Sequence, residues 1–329
     1  MIQRTYVYTA CDTDPVYNLA VEAYWLETVP EDACILYLWQ NARTVVIGRN
    51  QNAWQECRVA QLREDGGHLV RRLSGGGAVY HDLGNLNFTF IMREADYDLS
   101  RQQQVILRAV RSFGLDARTT GRNDIEIDGR KFSGNAFYRH GGRAYHHGTL
   151  LIQVDTAQMS RYLNVDPQKL AGKGVPSVPA RVVNLGELCP RITVQSLSGA
   201  LVKALGEVYG RAPERIPETV LNTQRIRALK EHFGAWDWTF GRRIPFTWRA
   251  RRRFAWGALE ICLQVESGRV RDCACYSDAM DAAKIQRIAG LLAGCPLDAE
   301  ALRAALAPLG QEDEGLAADA LALLMEQEF

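Results

Sequence analysis

Net charge, metal-type cysteine pairs and long apolar runs are all scarce in this chain. Thirty-nine Lys and Arg stand against 38 Asp and Glu, which leaves +1 over 329 residues. No overall field therefore favours nucleic acid or an anionic membrane, and any anion must be met by a local cluster. The eight cysteines (Cys11, Cys34, Cys57, Cys189, Cys262, Cys273, Cys275 and Cys295) are scattered, and only Cys273 and Cys275 are close, without the CxxC pairs of a zinc site. Reduced, mostly buried thiols are expected. No window reaches eighteen uninterrupted apolar residues, and the opening MIQRTYVYTACDTD has neither the apolar core nor the cleavage site of a secretory signal. The expectation is a soluble cytoplasmic protein with no nucleic-acid or membrane partner. Neither GxxxxGK[ST] nor GxGxxG occurs, so the two common phosphate-binding glycine loops are excluded.

What is present fits a globular protein with 47% apolar residues, large enough for one big domain or two. Val16, Leu19, Ala20, Ala23 and Leu26 keep helical spacing, and CILYLW and TVVIG read as buried strands. A helix is predicted near 100–113. From 123 to 152 come short strands, DIEI, KFSGNAFY and GTLLIQV, broken by turns at Asp128-Gly129 and Gly141-Gly142. Residues 166–186, with three prolines and three glycines, read as a long surface loop. Helices follow near 193–208 and 222–232, then a strand FAWGALEICLQV and helices at 279–293, 297–308 and 314–327. The fold class is α+β, with mixed or antiparallel sheets packed with helices. The natural cut gives a large domain, 1–245, and a second, smaller α+β domain, 246–329.

RRLSGGGAVYHDLGN, starting at Arg71, is the stretch most in need of a reason. Three adjacent glycines cost conformational entropy and offer no side chains in return. Bare backbone lets a ligand approach closely, and successive N–H groups can hold an anion; a glycine-rich hairpin corner is the plain alternative. Arg71 and Arg72 add planar guanidinium forks suited to phosphate or carboxylate. Farther on, GRNDIEIDGRKFSGNA offers Asn123, Asp124 and Lys131, and HHGTLLI offers His146, His147 and Thr149. Together they describe a phosphate-handling pocket.

In order and spacing, these three motifs resemble those of the lipoate-protein ligase A family, within the biotin/lipoate ligase superfamily. TVVIGRNQNAWQEC, KGVPSVPARVVNL and the C-terminal region are similar to it as well, so the resemblance spans nearly the whole chain. It implies an ATP-dependent enzyme that makes lipoyl-AMP and pyrophosphate from lipoate and ATP, then transfers the lipoyl group to a lysine of an acceptor domain. The cofactors implied are ATP and Mg²⁺. The acid is lipoate, with octanoate as the alternative. The acceptors are the lipoyl domains of 2-oxoacid dehydrogenase E2 subunits and the glycine cleavage H protein, and a monomer is expected.

The resemblance carries over residue by residue. Lys131 is the catalytic cation, touching an α-phosphate oxygen and the lipoyl carbonyl. ATP or lipoyl-AMP is bound by Arg72, Ser74, Gly75, Gly76, Gly77, Ala78, Val79, Tyr80, His81, Asn123, Asp124, Lys131, His147, Gly148 and Thr149. Asp124 is the candidate Mg²⁺ ligand. Trp39, with Arg72 and Lys131, lines the lipoate pocket, an ordinary core tryptophan being the alternative. The loop 166–186 matches the segment that closes over the adenylate. A thioester-forming transferase would need a cysteine in the pocket, and none lies between Arg58 and Leu188. WRARRRF (248–254) concentrates four arginines where the second domain begins, either a solvated face or a patch that steers an acidic acceptor.

Overall fold

The computed structural model describes residues 1–120, 123–164, 182–241 and 246–325. The chain divides into two compact units. The first comprises Met1–Val46, Glu56–Arg71 and Val79–Thr239; the second comprises Ile47–Gln55, Arg72–Ala78 and Phe240–Phe329. The short segments 47–55 and 72–78, the latter holding the three glycines, thus group with the C-terminal part of the chain.

Up to residue 215 the strands are β1 (Arg4–Thr9), β2 (Ala33–Trp39), β3 (Thr44–Ile47), β4 (His68–Arg71), β5 (Val79–His81), β6 (Asn85–Arg93), β7 (Arg118–Thr120), β8 (Asp124–Ile127), β9 (Arg130–His140), β10 (Arg143–Leu151) and β11 (Glu214–Arg215). Eight of them form one mixed sheet in the order β11-β1-β2-β6-β10-β9-β8-β7, and β4-β3-β5 form a small separate sheet. The turns between β8, β9 and β10 work as their residues suggest. Asp128 and Gly129 have φ of 49° and 73°, and Gly141 and Gly142 58° and 73°, the left-handed pairs that suit the twist of a two-residue hairpin. The expected strand at 148–154 is really the end of β10, which starts at Arg143 and stops at Leu151.

The two faces of the large sheet differ in chemistry. On one, Leu36, Leu38, Phe88, Phe90 and Leu150 pack with Val105, Ile106 and Val110 of the helix Leu99–Arg111 and with Leu197, Leu201 and Leu205 of the helix Val194–Tyr209. Burial of each large apolar side chain contributes about 1.5–3 kcal/mol. The other face carries Tyr37, Trp39, Thr89 and His147, and α1 (Pro15–Thr28) reaches it through Glu22. Asp14 caps α1 by accepting from the Val16 and Tyr17 N–H groups, and Pro15, which has no N–H to leave unpaired, begins it.

In the second unit β12 (Trp248–Phe254), β13 (Gly257–Glu266) and β14 (Arg269–Ser277) form an antiparallel sheet. The single strand expected at 254–265 is therefore broken: a turn at Ala255 and Trp256 separates Phe254 from Gly257. The arginine run is itself the missing strand. Its alternation places Trp248, Ala250 and Phe254 against a core of Leu259, Ile261, Ile285, Ile288, Leu302 and Leu306. On the other side of the strand, Arg249 pairs with the buried Glu260 at 2.5 Å and Arg253 with Asp278 at 3.4 Å. Helices Ala282–Leu292, Ala299–Gly310 and Glu314–Leu324 complete the unit. Most of the expected loop 166–186 lies outside the described residues; its end is a short helix, Leu185–Leu188.

Candidate functional site

Register places the polar residues of the first unit in two adjacent rows on one sheet face. Tyr37 stands opposite Thr89, Thr89 opposite His147, and His147 opposite Ala136. Two residues along, Trp39 stands opposite Asn87 and Asn87 opposite Thr149. Thr149 Oγ1 accepts from the Gly134 N–H at 3.2 Å, which brings β9 into the second row.

The Lys131 side chain reaches the Gly134 end of that row, although its backbone pairs with Glu126. Its Nζ lies 2.8 Å from Asp124 Oδ1, and both side chains are partly exposed. Gly134 leaves the space the ammonium uses: a Cβ there would sit 2.8 Å from Nζ and 3.0 Å from Cε. The Lys131 backbone is anchored by the Val183 N–H, which donates to its carbonyl at 2.9 Å. Asn123, next to Asp124, is held through its own carbonyl, which accepts from the Asn135 N–H at 2.9 Å and from Asn135 Nδ2 at 2.8 Å.

Behind Asn135 stands His146, fully buried, with Nε2 2.8 Å from Asn135 Oδ1 and Nδ1 3.0 Å from Gln102 Oε1. Amide oxygens of Asn135 and Gln102 thus face both ring nitrogens, and a neutral imidazole donates to one of them. Desolvation first, and then the neighbouring His147, lower the His146 pKa to about 3, so the ring is neutral. His147, one residue on, faces the opposite way: its Nδ1 lies 2.8 Å from Glu22 Oε1, which also accepts from Thr89 Oγ1 at 2.7 Å. Trp39 Nε1 donates to Thr89 Oγ1 at 3.0 Å, and its ring stacks on Tyr37 with centroids 5.8 Å apart. Asn41 Nδ2 lies 3.3 Å from His81 Nδ1, while desolvation and then Asp82 raise the Tyr80 pKa above its usual value.

Arg72, Ser74, Gly75, Gly76, Gly77 and Ala78 belong to the second unit. Arg72 is buried and organises the glycine stretch: Nε donates to Ser74 Oγ at 2.9 Å, and Nη2 donates to the carbonyls of Gly75 at 2.7 Å and Gly77 at 2.8 Å. A Cβ on Gly75 would lie 2.3 Å from the Ala279 carbonyl and 2.4 Å from that of Met280. The bare backbone at Gly75 thus has a packing reason as well as the ligand reason inferred from sequence. The Gly76 N–H donates to Ala279 O, and its φ of 89° suits glycine. Arg71 serves the first unit instead, donating to the carbonyls of Trp238 at 2.8 Å and Thr239 at 2.6 Å.

The profile of the lipoyl protein ligase A/B catalytic domain matches residues 14–206, and that of the bacterial lipoate protein ligase C-terminus matches 243–322. A relative from Psychrobacter cryohalolentis, named lipoate-protein ligase A, is 38% identical over 314 residues, 93% of each chain. This chain belongs to the lipoate-protein ligase A family. Among solved structures of the ligases, P. falciparum LipL1 in complex with lipoate has a TM-score of 0.86 at 28% identity, covering 98% of this chain and 100% of that one. A lipoate-protein ligase A bound with ATP has a TM-score of 0.63 at 25% identity, covering 73% and 99%. A bi-partite lipoate protein ligase from Thermoplasma acidophilum, described with its E2 lipoyl domain, has a TM-score of 0.63 at 27% identity, covering 74% and 99%.

Within the first unit the fold therefore brings together Trp39, Lys131, Asp124, Asn123, Gly148, Thr149 and His147 on or beside one sheet, while Val79, Tyr80 and His81 lie on β5 of the small sheet. Sequence reasoning missed Glu22, Asn87 and Asn135. Glu22 did leave a signal: a carboxylate amid Leu19, Ala20, Val21 and Ala23, where an unpaired charge would be costly to bury. No helix among the described residues is long and apolar enough to cross a membrane.

Proposed function

We propose that this protein is an ATP-dependent lipoate-protein ligase. A lipoate carboxylate oxygen attacks the α-phosphate of ATP, the bond to the β-phosphate breaks, and lipoyl-AMP and pyrophosphate result. A lysine amine of an acceptor domain then attacks the lipoyl carbonyl, AMP leaves, and the amine loses a proton as the amide forms. The observation that carries the reading is the Lys131–Asp124 pair, its ammonium seated in the space that Gly134 leaves, in a family whose relatives have been solved with lipoate and with ATP.

Lys131 offsets the repulsion between a carboxylate and a polyanion in the first step and polarises the lipoyl carbonyl in the second. Arg72 shapes the glycine stretch proposed to hold the nucleotide, together with Ser74, Gly75, Gly76, Gly77, Ala78, Val79, Tyr80 and His81. We assign Asn123, Gly148, Thr149 and His147 to the same nucleotide or adenylate on the strength of their motifs. Magnesium in nucleotide sites is held mainly by phosphate oxygens with one or two carboxylates. Asp124 fits that arrangement and would hold the ion, which supplies charge neutralisation when bound. An unperturbed acceptor lysine, pKa about 10.4, is nearly all protonated at neutral pH; desolvation near Lys131 lowers it, so no dedicated base is invoked.

A thioester route finds little support. Burial raises the thiols of Cys34, Cys57 and Cys262 to about 12, far from thiolate formation. We further assign E2 lipoyl domains and the glycine cleavage H protein as acceptors, a cytoplasmic location and a monomeric state. The decisive experiment is mass spectrometry of an acceptor lipoyl domain after incubation with the protein, ATP, Mg²⁺ and lipoate. A lipoyl adduct on its lysine is expected; no adduct, with no pyrophosphate released, would overturn the reading.

A further inference from the structure

The row from Lys131 to Trp39 contains a buried amide whose N–H groups meet no acceptor. Asn87 is 1% exposed and stands between Thr149 and Trp39 on the face that carries the site. Its Oδ1 accepts from Asn85 Nδ2 at 2.9 Å, but its Nδ2 has no hydrogen-bond partner, and neither has Asn85 Oδ1. The neighbouring polar groups contrast with it, since Trp39 Nε1, Thr89 Oγ1, Glu22 and His147 Nδ1 form one connected chain. Leaving a buried amide N–H bare costs on the order of five- to a hundredfold in an equilibrium constant, so a bare amide at this position calls for an acceptor that arrives with a ligand.

Strand spacing says which part of a ligand would meet it. Adjacent strands lie about 4.8 Å apart, so Asn87 is roughly 10 Å, two strand spacings, from the Gly134 position beside Lys131. With the carboxyl end of the acid at Lys131, the far end of an eight-carbon chain comes abreast of Asn87. In lipoate that end is a dithiolane, whose sulfurs are weak acceptors. In octanoate it is saturated hydrocarbon with no acceptor at all.

We propose that Asn87 is a specificity residue for the acid tail, its Nδ2 donating to a dithiolane sulfur, so that the site prefers lipoate to octanoate. This rests on the ligase reading of the same site. Replacing the amide by an apolar side chain of similar volume removes both the reward for sulfur and the penalty against alkyl.

The test is kcat/KM for pyrophosphate release with lipoate and with octanoate, in the wild type and in Asn87→Leu. The wild type should prefer lipoate, and Asn87→Leu should lower that ratio by about tenfold, with octanoate improving outright. An unchanged ratio would mean that a buried water holds the amide, and the inference fails. A measurement on the wild type alone covers the case in which the variant does not fold: 7-oxooctanoate, which carries a carbonyl acceptor near the tail end, should be used better than octanoate, and no advantage would overturn the inference. If the wild type releases pyrophosphate with none of these acids, the ligase reading itself falls, and the inference with it.

Discussion

Lys131 Nζ rests 2.8 Å from Asp124 Oδ1, so the cation assigned to the reacting phosphate is held by the carboxylate assigned to its metal. The pair is partly exposed, where such contacts contribute about 0–1 kcal/mol to stability. Its value lies in aiming the ammonium.

Lys131→Ala is therefore expected to fold with an unchanged melting profile and to lose lipoate-dependent pyrophosphate release by about a hundredfold or more. Asp124→Asn should keep the fold and lose less. Near wild-type release by Lys131→Ala in a coupled pyrophosphate assay would remove the lysine from the mechanism.

The two adjacent arginines should separate cleanly. Arg72→Ala frees the carbonyls of Gly75 and Gly77 and should weaken ATP binding, read by calorimetric titration, more than Arg71→Ala does. Arg71→Ala removes donors to Trp238 and Thr239 and should appear as a loss of roughly 1–3 kcal/mol in denaturant unfolding. The reverse pattern would exchange their roles.

Gly134→Ala tests the space around the ammonium. Its Cβ would fall 2.8 Å from Lys131 Nζ, the far end of a flexible side chain. Stability should change by less than about 1 kcal/mol, while turnover falls by about tenfold or more because the cation is displaced. An active Gly134→Ala would show that Lys131 works from another position.

His146 predicts a pH effect. An unfolded His146 takes up a proton below its ordinary value of 6.5, whereas the folded, desolvated ring stays neutral down to about 3. The unfolded chain binds more protons in that window, so this contribution is complete above 6.5 and is lost as pH falls toward 3. His146→Gln should lower stability at neutral pH through the weakened hold on Asn135, yet flatten the decline in melting temperature on acidification. A parallel decline in both proteins would mean that His146 does not titrate as its burial implies.

Much of this molecule was legible locally. Asp14 and Pro15 begin α1, Asp128-Gly129 and Gly141-Gly142 turn the hairpins, and the helical periods of 100–113 and 193–208 appear as helices Leu99–Arg111 and Val194–Tyr209. Such features depend on neighbours within a few residues, whose chemistry is visible in the string. Arg72, Lys131 and His147 could be put forward as candidates because they sit in compact motifs.

What they touch was decided only by tertiary structure. Glu22 meets His147 across 125 positions, and Gly75 owes its bare backbone partly to carbonyls at Ala279 and Met280. The strand in WRARRRF becomes readable only once β13 supplies Glu260 and the core receives Trp248 and Phe254. Asn87 carries no local sign of a place in the site, and only register sets it between Trp39 and Thr149. The physical reason is shared by all four: the cost of burying a charge or an amide, and the side to which a strand residue points, depend on pairings between distant segments that no local period records.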